Sequence, residues 1–335
     1  MTGVQHLEVQ PDQDGMRVDR WFRSLFPGLR QGDIEKMLRK GQIRIDGARA
    51  KSNARLASGQ MVRVPPMPIK SERDSHDTGA GKVGPPAALR RQIRDAVIHK
   101  DEDILVLNKP SGLAVQGGSK TRHHVDGLLD ELVFEASERP RLVHRLDRDT
   151  SGVLILGRSR NAASFLTKMF AERRTRKIYW ALTHGVPRPE QGDINLPLVK
   201  RAAADGQERV RPSRDGEKGG LKAVTRFAVM QRAGQDFAWV SFMPLTGRTH
   251  QIRAHALAIG HPLVGDPKYT DETIETGRGL AAKLHLHAHS LEVPHPRGGV
   301  FRTEAPLSGH MEQSWDFLGF EARDGEDPFP ENDWV

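Results

Sequence analysis

The chain has 335 residues, 37% of them hydrophobic, and its 51 Lys and Arg against 43 Asp and Glu give a net charge of +8. This length predicts two domains at roughly 150 residues each, and the absence of cysteine excludes disulfides, thiolate nucleophiles and cysteine-ligated metal centres. The polar N-terminus is unlike a secretory signal and no apolar run reaches eighteen residues, so we expect a cytoplasmic protein without membrane contact.

Positive charge is concentrated near the N-terminus. Residues 16–64 contain twelve Lys or Arg and four Asp or Glu, a net charge of +8 that equals the charge of the whole chain. Apolar residues at helical spacing predict two short helices here, and the second carries Arg39 and Lys40 away from its apolar stripe. A solvated helix face is the ordinary explanation of such residues, but this charge density favours binding to a nucleic-acid backbone.

The pattern along the chain predicts a small basic domain at 16–64, a linker, a larger domain at 92–320 and an acidic tail at 321–335. Residues 42–47 alternate like a strand and end in the Asp46-Gly47 turn. Five prolines without apolar periodicity make residues 65–91 a flexible linker. The larger domain mixes strand and helix patterns irregularly, which predicts an α/β (α+β) fold with a mixed, largely antiparallel sheet. Strand patterns lie at 104–107, 153–156, 178–182, 224–229 and 237–243, and helical patterns at 125–134, 162–171 and 249–259.

Asp147 lies in the densest polar cluster of the sequence, residues 141–152, directly before an apolar strand pattern. A carboxylate between two arginines ionises readily, because nearby positive charge favours the charged form. The alternative is that Asp147 and Asp149 pair with Arg145 and Arg148 in an ordinary surface loop.

A second cluster, residues 246–255, contains a glycine turn followed by a helical pattern. Thr249 is a plausible N-cap, which would place His250 and Arg253 one turn apart on the first face of the helix. Helix N-termini attract anions, so a phosphate or a carboxylate could bind there. An ordinary basic helix start explains the same residues equally well.

Residues 144–152 resemble the signature motif of the RluA/RluC-type RNA pseudouridine synthases. Residues 16–64 resemble the small alpha-L RNA-binding domain that often precedes the catalytic domain of that family. Residues 117–119 and 209–211 are most similar to the RluC branch, which acts on large-subunit ribosomal RNA. Further segments that agree with the family, in the same order, are 107–112, 176–182, 246–255, 260–266 and 286–288, so that the resemblance covers about 104–307.

The resemblance implies an isomerase that converts uridine in RNA to pseudouridine without a cofactor. Asp147 matches the catalytic aspartate, acting either as a nucleophile on the ribose or as a base towards a sugar proton. Tyr179 matches the active-site tyrosine, which stacks on uracil and serves in proton transfer. Arg253 matches the basic residue that pairs with the aspartate and holds it ionised.

The same resemblance implies that the target nucleotide leaves the RNA stack, and Arg145 occupies the position of the residue that fills the gap. Lys109, Arg248 and His250 are predicted to line the cleft or to contact the RNA backbone. The expected partner is large-subunit ribosomal RNA or an assembly intermediate, and the protein is expected to be a monomer.

Two other classes of function fit parts of the sequence. His285, His287 and His289 alternate like residues on one face of a strand, a spacing that could bind the metal of a metallohydrolase. A non-catalytic RNA-binding factor for ribosome assembly would account for the basic segment. It would not account for Asp147, because RNA binding alone does not need a carboxylate facing a polyanion.

Overall fold

In the computed structural model the chain forms two compact units, Met1–Val83 and Gly84–Val335. The residues that the structure describes are 3–26, 29, 31–51, 53–66, 85–118, 121–202, 208–214, 217–270, 279–322 and 327–329. None of the helices in these ranges is long and apolar enough to cross a membrane.

The N-terminal unit packs two helices on a small antiparallel sheet with the order β1-β4-β2-β3. Asp46 and Gly47 have φ values of 48° and 80°, the left-handed conformations that a tight hairpin between β2 and β3 requires, so the predicted turn is confirmed. Trp21 and Phe22 are fully buried in its core, which confirms the predicted apolar stripe of α1. The elements are β1 (Gln5–Glu8), α1 (Val18–Leu25), α2 (Gln31–Arg39), β2 (Arg44–Ile45), β3 (Ala48–Arg49) and β4 (Met61–Val64).

This unit begins earlier than the predicted boundary at residue 16. Strand β1 pairs with β4 along its whole length, and Val9 after it is 1% exposed. The side chain of Gln13 accepts a hydrogen bond from Nε1 of Trp21 at 2.7 Å, which ties the segment to the core. The sequence does not predict this strand, because Leu7 is its only apolar residue and the alternating burial of its side chains appears only in the structure.

The second unit is built on a ten-stranded mixed sheet. Its main path is β10-β13-β14-β9-β15-β8-β6-β5, with β16 added to β15 and β7 added to β8. All pairs except β15 with β8 are antiparallel, which confirms the predicted largely antiparallel α+β class. The elements up to the middle of the unit are α3 (Ala87–Asp95), β5 (Val97–Lys100), β6 (Ile104–Lys109), a 3-10 helix (Val125–Leu132), β7 (Arg141–Leu142), β8 (Ser151–Gly157), α4 (Arg160–Ala171) and β9 (Arg176–His184).

The remaining elements include the strands that extend the sheet beyond β9 and strand β15, which lies between β9 and β8. They are β10 (Gln191–Asn195), β11 (Leu198–Ala202), β12 (Glu208–Pro212), β13 (Val224–Ala233), β14 (Phe237–Pro244), α5 (Gln251–Ala258), β15 (Leu286–Pro294), β16 (Val300–Glu304) and α6 (His310–Leu318). Strands β11 and β12 form a separate two-stranded hairpin.

Two of the predicted boundaries differ from the structure. Helix α3 begins at Ala87, inside the predicted linker 65–91. It packs on the second unit through Ile93, which is fully buried. The predicted loose tail contains Phe329, which is 8% exposed and packs against the tryptophan-rich core of the second unit. Arg176 holds this segment by donating to the backbone oxygen of Phe329 at 2.9 Å and by pairing with Asp327.

Candidate active site

A cavity of about 540 Å³ opens where β9, the end of α4 and the start of α5 meet the loop between β7 and β8. Asp147 projects from that loop, and Tyr179 is the fourth residue of β9. The cavity therefore brings together the two polar clusters that the sequence places about a hundred residues apart. Its lining includes the predicted residues Arg145, Asp147, Tyr179, Arg248, His250 and Arg253.

Hydrogen bonds from the turn after β6 hold the loop that carries Asp147 in place. Gly112 N–H donates to the backbone oxygen of Arg148 at 3.0 Å, and Ser111 Oγ donates to that of Asp149 at 2.8 Å. At the end of the loop, Gly152 has φ 103°, and a Cβ there would lie 2.2 Å from the backbone oxygen of Ala288. A glycine is thus required for β8 to approach β15, and this close approach sets where the loop ends.

Lys109 does not line the cavity, contrary to the prediction. Its side chain is fully buried, and Nζ donates to the backbone oxygens of Pro110, Leu113 and Arg148 at 2.8 to 3.0 Å. Burial lowers the pKa of Lys109 to about 7, against the opposing charges of Asp149 and Asp147. A buried ammonium with three carbonyl acceptors cannot reach an RNA backbone, so Lys109 supports the loop rather than binding substrate.

Arg253 is the structural centre of the polar network. It is 5% exposed and donates from Nη1 to Asp147 Oδ2 at 3.4 Å. Its other nitrogens, Nε and Nη2, donate to the two oxygens of the fully buried Asp266 at 2.7 and 2.6 Å. The fork geometry of a guanidinium with one carboxylate fixes its plane, which leaves Nη1 aimed at Asp147.

His250 also faces Asp147, with Nε2 at 3.5 Å from Oδ2. Its Nδ1 lies 2.8 Å from the hydroxyl of Tyr269, and that hydroxyl accepts from the N–H of Val210 at 2.9 Å. Burial lowers the pKa of His250, and the charge of Asp147 opposes this effect. A neutral His250 fits these contacts, because Tyr269 O–H can then donate to Nδ1 while Nε2–H points at Asp147.

The start of α5 differs from the prediction that Thr249 caps it. The helix begins at Gln251, and His250 before it has φ 53°, in the left-handed region. The side-chain oxygen of Gln251 accepts from Arg248 N–H at 3.0 Å and from Thr246 Oγ1 at 2.7 Å. Because Gln251 organises this turn, His250 points into the cavity instead of standing on the first turn of the helix.

Tyr179 presents an unpaired phenol to the cavity. Its ring packs against two apolar clusters, one that contains Leu154 and one that contains Val240. The hydroxyl makes no hydrogen bond to any residue in the described ranges. Burial, and then the negative charge of Asp147, raises the pKa of Tyr179 above its usual range. The hydroxyl therefore stays protonated at neutral pH and is free to donate to a ligand.

Arg145 and Arg248 stand at the cavity in different ways. Arg145 is exposed and makes no hydrogen bond or ion pair with the part of the chain that the structure describes. Arg248 is anchored, because Nε donates to the backbone oxygen of Lys222 at 3.2 Å. Arg39 and Lys40 lie at the end of α2 in the N-terminal unit, where both are exposed and form part of its basic surface.

Sequence reasoning missed Asp266 and Tyr269 as parts of the site. Both follow the glycine turn after α5, where the amides of Lys268 and Tyr269 donate to Asp266 Oδ1 at 2.9 and 3.0 Å. The ring of Tyr269 also lies 4.9 Å from the guanidinium carbon of Arg253. Asp266 ends the segment 260–266 that resembles the family, and this was the available signal.

Comparison with known proteins identifies the fold and the reaction. Residues 103–258 match the family described as RNA pseudouridylate synthase. The protein named ribosomal large subunit pseudouridine synthase C of Salmonella typhi is 36% identical over 324 residues, which is 94% of this chain and 97% of that protein. The protein of the same name from Escherichia coli K12 is 37% identical over 313 residues, or 91% and 93% of the two chains. The chain belongs to the RluA/RluC-type pseudouridine synthase family.

A solved structure agrees with this assignment. The human RNA pseudouridylate synthase domain containing 4 superposes with a TM-score of 0.58 and 28% identity, covering 70% of this chain and 97% of that one. This RNA pseudouridine synthase is therefore an isomerase acting on RNA, and its fold class is the one predicted.

The three histidines considered as metal ligands have other partners. His285 contacts the backbone oxygen of Val264 through Nδ1 at 3.2 Å and Ser314 Oγ through Nε2 at 2.8 Å. His287 contacts Ser151 Oγ at 2.9 Å and the backbone oxygen of Ala305 at 3.0 Å, while His289 stacks on Trp180. Within the described ranges, no group of three His, Asp or Glu is arranged to hold a metal ion.

Proposed function

We propose that this pseudouridine synthase modifies large-subunit ribosomal RNA and that Asp147 is its catalytic carboxylate. The substrate class is supported by relatives that carry ribosomal large subunit in their names and match more than nine-tenths of the chain. The role of Asp147 rests mainly on one observation. Its partly exposed carboxylate faces a cavity and accepts a hydrogen bond from the buried Arg253.

The isomerisation breaks the bond between N1 of uracil and C1′ of ribose and forms a bond between C5 and C1′. The proton on C5 is lost and N1 gains a proton, so no atom group is added or removed. Asp147 can start this exchange in two ways. It can attack the sugar as the base departs, or it can remove a sugar proton. Either route needs an ionised carboxylate, which Arg253 stabilises by charge and hydrogen bonding.

Tyr179 and Arg145 complete the proposed substrate site. The phenol ring of Tyr179 offers a face for uracil, and its protonated hydroxyl can donate to the detached base. Arg145, exposed and without a protein partner, is suited to stack in the space that an extruded uridine leaves. His250 positions Asp147 through Nε2, and Arg248 contributes positive charge at the wall.

The N-terminal unit is proposed to anchor RNA through phosphate contacts that include Arg39 and Lys40. Twelve Lys or Arg against four Asp or Glu in residues 16–64 give it the charge needed for this role. We further propose that the enzyme works as a monomer. A cysteine-free chain that modifies ribosomal RNA fits a cytoplasmic location.

Mapping pseudouridines in ribosomal RNA tests the substrate assignment. RNA from cells with and without the gene is compared by carbodiimide labelling and primer extension. We expect one or more pseudouridines to disappear from large-subunit RNA and to return with a plasmid copy of the wild-type gene. An unchanged map of large-subunit RNA, combined with defective subunit assembly, would point instead to a non-catalytic assembly factor.

A further inference from the structure

Lys177 is a cation in the cavity wall that the proposed chemistry does not use. It lies two residues before Tyr179 on β9, so the two side chains leave the strand on the same side, about 7 Å apart along it. Both line the cavity. Lys177 is half-buried, and its ammonium faces the cavity without a hydrogen bond or ion pair to any part of the chain described in the structure.

An ammonium that faces a cavity lined mainly by positive side chains favours an anionic partner from outside the chain. The cavity lining contains five Lys or Arg side chains and one carboxylate, Asp147, which Arg253 already pairs. Burial, and then the positive charge of Arg173, lowers the pKa of Lys177 to about 8. Arg173 follows α4, is exposed, and lines the same wall without a described partner.

The position of Lys177 relative to Asp147 indicates which anion it can meet. Asp147 projects into the cavity from the loop between β7 and β8, whereas Lys177 and Arg173 line the wall formed by β9 and the turn after α4. If the target uridine lies between Asp147 and Tyr179, the RNA backbone next to it passes the Lys177 end of the cavity.

We propose that Lys177, together with Arg173, forms a subsite for a backbone phosphate next to the target uridine. This inference rests on the proposed function, since it assumes that uridine in RNA occupies the Asp147 end. The phosphodiester is the ligand class because it carries a permanent negative charge and every RNA nucleotide supplies one. Lys177 then helps to hold the extruded nucleotide, and it takes no direct part in bond exchange.

The test compares Lys177→Met and Lys177→Arg with Arg174→Met as the control. Arg174 is exposed on the same turn but does not line the cavity. The full-length variants are titrated with a large-subunit ribosomal RNA transcript at several salt concentrations. Tritium release from C5-labelled uridine is measured on the same RNA. Thermal midpoints confirm that the variants fold.

For Lys177→Met we expect about tenfold weaker RNA binding and a similar rise in KM, with kcat changed less than about threefold. The slope of log affinity against log salt should fall by roughly one, the value for a lost phosphate contact. Lys177→Arg and Arg174→Met should keep the RNA affinity within about threefold of the wild type and should leave the salt slope unchanged.

The pH dependence gives an independent readout. Bound phosphate raises the pKa of Lys177 above about 8, so its contribution is complete at pH 7 and is lost as pH rises past that bound value. Burial lowers the pKa of His144 to about 3, lowers that of His250 and raises that of Tyr179, so none of these cavity groups changes its charge between pH 7 and 10. Wild-type affinity should therefore fall more between pH 7 and 10 than that of Lys177→Arg.

Two results would overturn the subsite. One is an unchanged KM and salt slope in Lys177→Met. The other is a large fall in kcat at saturating RNA with KM unchanged, which would place Lys177 on the uracil. Failure of the wild type to release tritium would contradict the proposed function instead, and the binding data would still decide whether Lys177 contacts phosphate.

Discussion

Nη1 of Arg253 lies 3.4 Å from the carboxylate of Asp147 and is the one guanidinium nitrogen that the buried Asp266 leaves free. The arrangement is asymmetric, because Asp266 is fully buried while Asp147 is 22% exposed at the cavity. Asp266 holds the arginine, and the arginine in turn orients the carboxylate that can meet substrate. The stability of the unit and the chemistry of the site are therefore linked through one side chain.

Replacement of Arg253 should affect both properties. Arg253→Met leaves the buried carboxylate of Asp266 without a positive counter-charge, so we expect the free energy of unfolding to fall by about 3–5 kcal/mol, with loss of turnover. Arg253→Lys keeps the charge but not the fork, and should recover much of the stability while kcat stays at least tenfold low. Denaturant unfolding and tritium release measure the two effects. The exposed pair of Arg148 with Asp149 provides the control, and Arg148→Met should change neither quantity appreciably.

Acid should destabilise the second unit through its buried histidines. Burial lowers the pKa values of His285, His287 and His289 to about 4, against roughly 6.5 in the unfolded chain. Between these values the unfolded state binds more protons, so the free energy of unfolding falls as pH drops from 6.5 to 4, by up to about 3 kcal/mol per histidine. The curve of unfolding free energy against pH should therefore be flatter for His287→Gln than for the wild type.

The C-terminal segment should contribute to stability rather than hang free. Phe329 is 8% exposed in the core that contains Trp315, and Arg176 donates to its backbone oxygen. Phe329→Ala should lower the free energy of unfolding by about 2–4 kcal/mol. Phe317, which is 61% exposed, offers a matched control whose replacement by Ala should cost less than about 1 kcal/mol. Equal effects of the two substitutions in denaturant unfolding would show that the segment is not docked in solution.

The basic surface of the N-terminal unit should act through charge alone. Replacing Arg39 and Lys40 together by Gln is expected to weaken RNA binding and to reduce the salt slope by between one and two, with kcat at saturating RNA unchanged. Fluorescence titration across salt concentrations measures this. Replacing exposed Glu312 and Asp316 on α6 by Gln and Asn provides a control that should not reduce the slope.

Local patterns in the sequence were sufficient to predict much of the fold. Apolar spacing predicted α1 and the central strands, and the Asp46-Gly47 pair predicted a hairpin turn, because these features depend on neighbouring residues. Strand β1 and the docking of Phe329 depend on partners far along the chain, and a short polar segment does not reveal its partners. Lys109 was misjudged for the same reason. A lysine is expected at the surface until the three carbonyl oxygens around it are known.

The sequence predicts which residues form the candidate site but not the contacts that link them. Asp147, Tyr179 and Arg253 came from the family resemblance, and the structure brings all three to one cavity. Their assigned roles remain predictions. The resemblance does not indicate that two of the three guanidinium nitrogens of Arg253 bind Asp266. Nor does it indicate that the Tyr269 hydroxyl contacts both His250 and the backbone of Val210 in the β11–β12 hairpin. Such contacts depend on side-chain geometry across separate elements, which no spacing rule provides.

The most direct test of the central claim is release of tritium from C5-labelled uridine in large-subunit ribosomal RNA, comparing the wild type with Asp147→Asn. Asn keeps the shape of the side chain and Asp266 still holds Arg253, so RNA binding should stay within a few-fold and the free energy of unfolding within about 1 kcal/mol. We predict release by the wild type and none above background by Asp147→Asn. Release by the variant at a normal rate would contradict the assignment of Asp147 as the catalytic carboxylate.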